Sequence, residues 1–568
     1  MTNRLADRLQ FVHAIHQERL WKQTFQPEYI HPLLWPCDVK ILVVTDGALD
    51  FGLGNGGLRT FVEALKNNQP SFSRFKITVG HIEARSGQQI MDGEDAVVRS
   101  ISQFKFDDTD HFTPEMYDVV FLFGHANLYS RPGYPNDRLG DDEIAAIEAH
   151  MARGAGVFAT GDHGAIGKAM CASLPRVGSM RLWEPTSGDP NVDEVSMGGA
   201  RRNDTNRPGA NGTFEGNDQS DDVPQVIRPR MYRAWSGIWR YEFPHPVLCG
   251  KNGVIDVLPD HPHEGECVVP SSPSTDEYPE KSGVRPLPEI IAWADVLDGN
   301  DTGGFKAPAE GHAFGVICAY DGHPAELGRV VTDATWHHFV NMNLIGVGGP
   351  PGQPTESGFL FSASGQEALD KIFEYYVNLA IWLCPEETIN CIRVRQLWLV
   401  AFHQRVLEAT VNYPSIGLEK ANVGWLWAVG KHARDALGKE TSACQSRELI
   451  HWIIQQPISL EPTLMEQISP WAPKKKLTAA QLRRRRESLP WVDMEPLLDL
   501  ALGGAVTAIT EQFNAEDREK VRDGDIMEVA AKGAAVGLEL GSDSLTKDLR
   551  EASRTQKAFI RSALTSER

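Results

Sequence analysis

Two stretches of the chain crowd together side chains that can hold a cation or move a proton. In Asp260-His261-Pro262-His263-Glu264-Gly265-Glu266, two imidazoles and three carboxylates fall within seven residues. Imidazole and carboxylate are ligand types that suit zinc or manganese. If the backbone is extended, the i, i+2 spacing aims the His261 and His263 rings the same way. Pro259 and Pro262 restrict that backbone and lower the entropy lost in holding it still. The spacing is not the helical HExxH of a zinc protease, and solvated loop histidines are the competing reading. The second stretch is Gly328-Arg329-Val330-Val331-Thr332-Asp333-Ala334-Thr335-Trp336-His337-His338-Phe339-Val340-Asn341-Met342-Asn343. A short apolar strand there runs directly into an acid, an indole, two histidines and two asparagines. Such groups are costly to bury without partners, and packing would accept Leu or Ala in their place.

These groups need a scaffold that brings distant residues together. Val39–Thr45, Tyr117–Phe123, Gly156–Thr160 and Phe314–Ala319 read as continuous buried strands, with another over Phe75–His81. Helical patterns fall between them, at Leu58–Leu65, Glu94–Ser102 and Asp141–Arg153. Alternating strands and helices predict an α/β fold with a parallel sheet. In such a sheet the strand ends share one edge, where ligands bind. Asp46, His125, Asp162-His163 and Asp333 with His337-His338 each follow a strand. The expected catalytic set is therefore Asp162, His163, Asp333 and His337. The expected metal ligands are His125, His261, His263, Glu264 and His338, with a divalent ion such as zinc or manganese between them. The glycine-rich loop after Thr45 lacks the spacing of a dinucleotide fingerprint and the Gly-Lys-Ser/Thr of a phosphate loop.

Length and composition set the frame. A chain of 568 residues suggests more than one domain. The expected division is a helical and extended segment over 1–37, an α/β domain over 38–348 and a mainly helical domain over 360–568. An irregular excursion over about 171–310 interrupts the α/β domain, and its arginines 201, 202, 207, 228 and 230 read as balancing surface acids. Trp398, Trp425 and Trp427 read as core aromatics between helices. A net charge of -20 opposes non-specific nucleic-acid binding. The basic knots 474–476 and 483–486 read as solvated surface. No stretch is apolar for long enough to span a bilayer, and the start lacks the apolar block of a secretion signal. Eight scattered cysteines without a CxxC pair read as free thiols in a cytoplasmic protein.

The segments VKILVVTDG at the first strand, VVFLFGH near the middle, GAGVFATGDHG at the strand-to-helix elbow and GRVVTDATWHH at the closing strand resemble the class I glutamine amidotransferase-like superfamily. They are most similar to its trehalose-utilisation (ThuA-like) branch. The resemblance covers at most residues 38–348, by segments. It implies a flavodoxin-like, doubly wound parallel sheet with helices on both faces. The chain departs from the amidotransferase elbow Gly-x-Cys-x-Gly: with Gly164 as the last glycine, the nucleophile position holds Asp162 and the first glycine is Thr160. A carboxylate cannot replace a thiolate in the thioester route. Two function classes follow. One is a hydrolase or isomerase acting on a polar small molecule through a His/Asp/Glu site, with or without a metal. The other is a non-catalytic ligand-binding protein or scaffold whose helical domain binds a partner or a second copy.

Overall fold

The computed structural model describes residues 36–129, 135–183, 199–206, 221–236, 239–299, 308–346, 358–411, 417–455, 466–474, 494–513 and 521–565. Residues 1–35 of the introductory segment, Arg207, most of the two basic knots and the helical pattern at 478–488 fall outside these residues.

A ten-stranded sheet organises the first two-thirds of the chain. Its parallel part contains β1 (Cys37–Thr45), β2 (Ser73–His81), β3 (Arg99–Ser102), β4 (Val119–Phe123) and β5 (Gly156–Thr160). The other strands come later. They are β6 (Gln225–Pro229), β7 (Met231–Ser236), β8 (Trp239–Pro244), β9 (Cys249–Gly250), β10 (Gly253–Val254), β11 (Val257–Leu258), β12 (Glu289–Val296), β13 (His312–Tyr320) and β14 (Val330–Asp333). The order across the sheet is β11-β6-β12-β13-β14-β5-β4-β1-β2-β3, while β7-β8 and β9-β10 form separate hairpin pairs. Six neighbours from β14 to β3 are parallel. Beyond β14 the sheet turns antiparallel.

The purely parallel sheet of the sequence reading is thus corrected to a mixed one. The excursion contributes β6, β11 and β12 to it rather than being irregular throughout. A second correction concerns the expected helix over Glu94–Ser102. Turns lead there into β3, whose Arg99–Ser102 pairs with Thr78–His81. Sheet pairing overrides the helical pattern.

Both faces of the parallel strands are covered, which explains their unbroken apolar runs. Val39, Ile41 and Val43 of β1 point to one core with Phe121, Phe123 and Phe158, while Leu42 and Val44 point to the other. Phe61 of the helix Arg59–Asn67 and Tyr376 of the helix Ala363–Trp382 close the first face. Ile147 and Met151 of the helix Asp141–Ala152 close the second. The first core draws on residues as far along as Ile392. A separate core begins at Val394, built by helices that include Glu386–Ala401, Val423–Leu437, Ala443–Gln455, Glu495–Gln512 and Asp523–Thr565. The region after the sheet is therefore mainly helical. Trp398 lies in its core, whereas Trp427 is partly exposed under Lys431, 5.0 Å from the ring centre.

Cys37 at the start of β1 is disulfide-bonded to Cys391 of the helix Glu386–Ala401, so the expectation of eight free thiols is corrected. Six free cysteines remain, all buried. Arg201, Arg228 and Arg230 pair with Glu310, Asp295 and Glu289. Among the described residues no helix is long and apolar enough to cross a membrane.

Candidate metal centre

Register places the chemistry on one edge. Thr45 lies opposite Phe123, Phe123 opposite Thr160, and Thr160 opposite Asp333. Four parallel strands therefore end in one row, and the residues that follow leave the sheet side by side. Asp46, His125, Asp162 and the Trp336-His337-His338 turn emerge there although nearly 300 residues separate the first from the last.

The elbow after β5 is tight. The Asp162 amide donates to the Ile166 carbonyl at 3.2 Å, and the Ile166 amide donates back to His163 at 3.3 Å. Gly164 supplies the left-handed residue of this turn, with φ +59°. Asp162 is buried, and its Oδ1 accepts the Thr335 hydroxyl at 2.9 Å. Its Oδ2 faces three imidazoles: His163 Nδ1 at 3.0 Å, His261 Nε2 at 3.7 Å and His337 Nε2 at 3.9 Å.

The 260–266 loop folds back over this edge. Thr205 fixes it, its amide donating to the His261 carbonyl and its hydroxyl to Glu264 Oε1 at 2.6 Å. Asn203 binds the carbonyls of Glu264 and Gly265, and Asn343 Nδ2 holds the Asp260 carbonyl at 3.0 Å. The His263 ring meets His163 edge to face, with centres 4.4 Å apart, and the His261 ring stacks on His337 at 3.4 Å. One ligand atom each from Asp162, His163, His261 and His263 lies within 4.8 Å of the other three. His261 is almost fully buried, and among the described residues neither of its ring nitrogens has a hydrogen-bond partner. A buried imidazole left in this way costs free energy unless something else satisfies it.

Electrostatics divide the site into two shells. Burial alone would raise the Asp162 pKa, but His261, His163 and His337 outweigh it and hold the carboxyl well below the usual range. Burial pushes the His261 and His337 rings down, towards the neutral form. His337 Nδ1 lies 2.8 Å from Asn343 Oδ1, so that nitrogen carries the proton and Nε2 presents its lone pair to the site. Behind this group, His338 Nδ1 contacts Asp333 at 2.6 Å and its Nε2 lies 3.4 Å from Glu264. Burial would lower the His338 pKa, but these two carboxylates overcome it and raise it to about 10. Asp333 also accepts the Tyr375 hydroxyl at 2.8 Å.

The structure therefore gathers Asp162, His163, His261 and His263 as converging donors, with His337 beside them. Asp333, Glu264 and His338 form a buried layer behind and do not join that group. His125 stands on the opposite flank, its ring 5.9 Å from Trp336, and accepts the Ala48 amide through Nδ1 at 3.4 Å. The glycine-rich loop after β1 is tied to the closing segment by Asn341, whose Nδ2 donates to the Gly52 and Gly54 carbonyls. Sequence reasoning missed the supporting residues Arg181, Thr205 and Tyr375, whereas Asn343 belongs to the polar run read after the closing strand. No family model matches the chain, and no curated protein matches it either.

Proposed function

We propose that this chain is a metal-dependent enzyme of the hydrolase or isomerase type, acting on a polar small molecule at the carboxyl edge of its sheet. The convergence of three imidazoles and one carboxylate, with ligand atoms within 4.8 Å of one another, carries the reading. A nitrogen-rich set with one hard oxygen suits zinc, and manganese is the second choice. Such an ion, when bound, lowers the pKa of a coordinated water to about 7 and polarises a substrate oxygen.

The remaining roles belong to the chain. Asp162, His163, His261 and His263 hold the cation. His337, with its proton fixed on Nδ1 by Asn343, offers Nε2 as a proton acceptor beside Asp162. His125 accepts a backbone amide at Nδ1, so its neutral ring carries the proton on Nε2 and can donate it to a substrate oxygen. The likeness to the ThuA-like branch of the amidotransferase-like superfamily belongs to this proposal and supports the place of the site. Thioester chemistry does not belong to it. The elbow carries Asp162, and Cys171 is buried with its Sγ 4.0 Å from the Thr160 carbonyl, where burial pushes its thiol pKa well above the usual value.

Metal analysis of the purified protein tests the reading. About one zinc or manganese per chain is expected, falling at least tenfold in His263→Ala while the helical region unfolds as in the wild type. Wild-type protein that takes up neither ion would refute it. A stoichiometric ion without turnover on any panel of amides, esters, phosphoesters and polyols would instead favour the non-catalytic alternative.

A further inference from the structure

Arg181 is among the largest side chains buried completely in the protein. No carboxylate lies within ion-pair distance of it among the described residues; its donors go to main-chain carbonyls. Nη2 donates to Asp162 at 2.6 Å and to Ala334 at 2.7 Å, Nε to Asp333 at 3.1 Å, and Nη1 to Leu182 at 2.8 Å. Three of these four carbonyls lie on the two segments that deliver Asp162, His163 and His337. The third ligand-bearing segment is attached to the same residue through its backbone. Arg181 forms a bridge with Cys267, and the Leu182 amide donates to the Glu266 carbonyl at 2.9 Å. Gly265 faces the guanidinium directly. A Cβ there would lie 2.2 Å from Arg181 Nη2 and 2.6 Å from the Ala334 carbonyl.

We propose that Arg181 is the positioning residue of this site. Its planar guanidinium sets the spacing between the Asp162 elbow, the closing strand and the 260–266 loop, and Gly265 is the residue that admits it. A core that needed only filling would take an aliphatic side chain, since a buried guanidinium must be desolvated. Lysine could not do the same work. Its three donors radiate from one atom, whereas the fork of arginine reaches separate carbonyls in one plane. Groups that orient metal ligands from behind typically govern 10–100-fold in metal affinity.

The proposal rests on the metal-site reading, so the test keeps the two apart. Co2+ is titrated into the full-length wild type, Arg181→Lys, Gly265→Ala and the double variant, following visible absorption. Hydrogen exchange of 162–166 and 260–266 is measured on the same proteins. Each single variant should bind Co2+ about 10–100-fold more weakly with an altered spectrum. The double variant should be no worse than the weaker single one, because both changes break the same contact. Exchange should rise in 162–166 and 260–266 while Val119–Phe123 stays protected. Wild-type affinity and spectrum in Arg181→Lys, or fully additive losses in the double variant, would overturn the proposal. If the wild type binds no Co2+, the functional reading fails, and exchange alone then judges Arg181: unchanged protection of both segments refutes it. Should Arg181→Lys not fold, Gly265→Ala carries the same test without touching the charge.

Discussion

Asp46, at the end of β1, sets burial against hydrogen bonding in a way that can be measured. Its Oδ1 accepts the backbone amides of His125 at 2.5 Å and Ala126 at 2.9 Å, and its Oδ2 accepts the Tyr129 hydroxyl at 2.8 Å. Three donors favour the carboxylate, whereas complete burial, helped by the charge of Glu83, favours the acid. Burial wins, raising the pKa from 3.8 to about 6. Between those values the native state binds more protons than the unfolded state, so ionising Asp46 removes stability as pH rises. Two units at about 1.4 kcal/mol each come to roughly 3 kcal/mol. Asp46→Asn keeps the acceptor for both amides and can donate to Tyr129, but it does not titrate. Urea unfolding of both proteins between pH 4 and pH 8 isolates the effect, because the other titrating groups cancel in the difference. The difference should shift towards Asn by roughly 3 kcal/mol as pH rises from 4 to just above 6, and then stay level. A flat difference would refute the reasoning, because the three hydrogen bonds would then balance or outweigh burial.

Three further outcomes follow from the buried polar groups and the sulfur chemistry. Tyr375→Phe removes a hydrogen bond to a buried carboxylate and should cost roughly 1.5–3 kcal/mol in urea unfolding; a change under about 0.5 kcal/mol would mean that Asp333 finds another donor. Native protein treated with iodoacetamide should stay unmodified at all six free cysteines by mass spectrometry, since each is buried. Rapid labelling of Cys171 together with loss of bound metal would contradict the site as drawn. Reducing the Cys37–Cys391 bond should destabilise the protein by about 2–4 kcal/mol, and an unfolding midpoint unmoved by dithiothreitol would count against the pairing.

The parts of the fold legible in the sequence are those set by local pattern. β1, β4, β5 and β14 stand out as apolar runs because both of their faces are covered, and Gly156–Thr160 is found with its observed limits. β6 could not be seen. It lies at the end of a stretch rich in Gly, Asn, Asp, Ser and Pro, and its pairing with β12 and β11 makes it a strand. The Cys37–Cys391 bond spans 354 residues, and no spacing rule reaches that far. The same division runs through the site. Asp162, His163 and His337 follow strands and could be picked out by position. Arg181 looks like any arginine until the carbonyls of two distant strand ends surround it. Tyr375 sits in a helix whose apolar spacing gives no hint that one hydroxyl reaches Asp333.

Charge balance gives an independent reason to expect a cation at this edge. Asp162, Asp333 and Glu264 are buried within one connected cluster, against two built-in cations, Arg181 and the His338 imidazolium. Among the described residues of this cluster, three against two leaves a formal negative charge. His261 and His337 do not make up the deficit by protonation, since burial drives both rings towards the neutral form. Neutral rings at His261 and His337 beside the ionised Asp162 carboxylate make a poor proton store but suit a cation, because metal binding requires both groups deprotonated. A bound cation would offset part of the cost of burying these polar groups. The site's chemistry and its stability would then depend on the same ion.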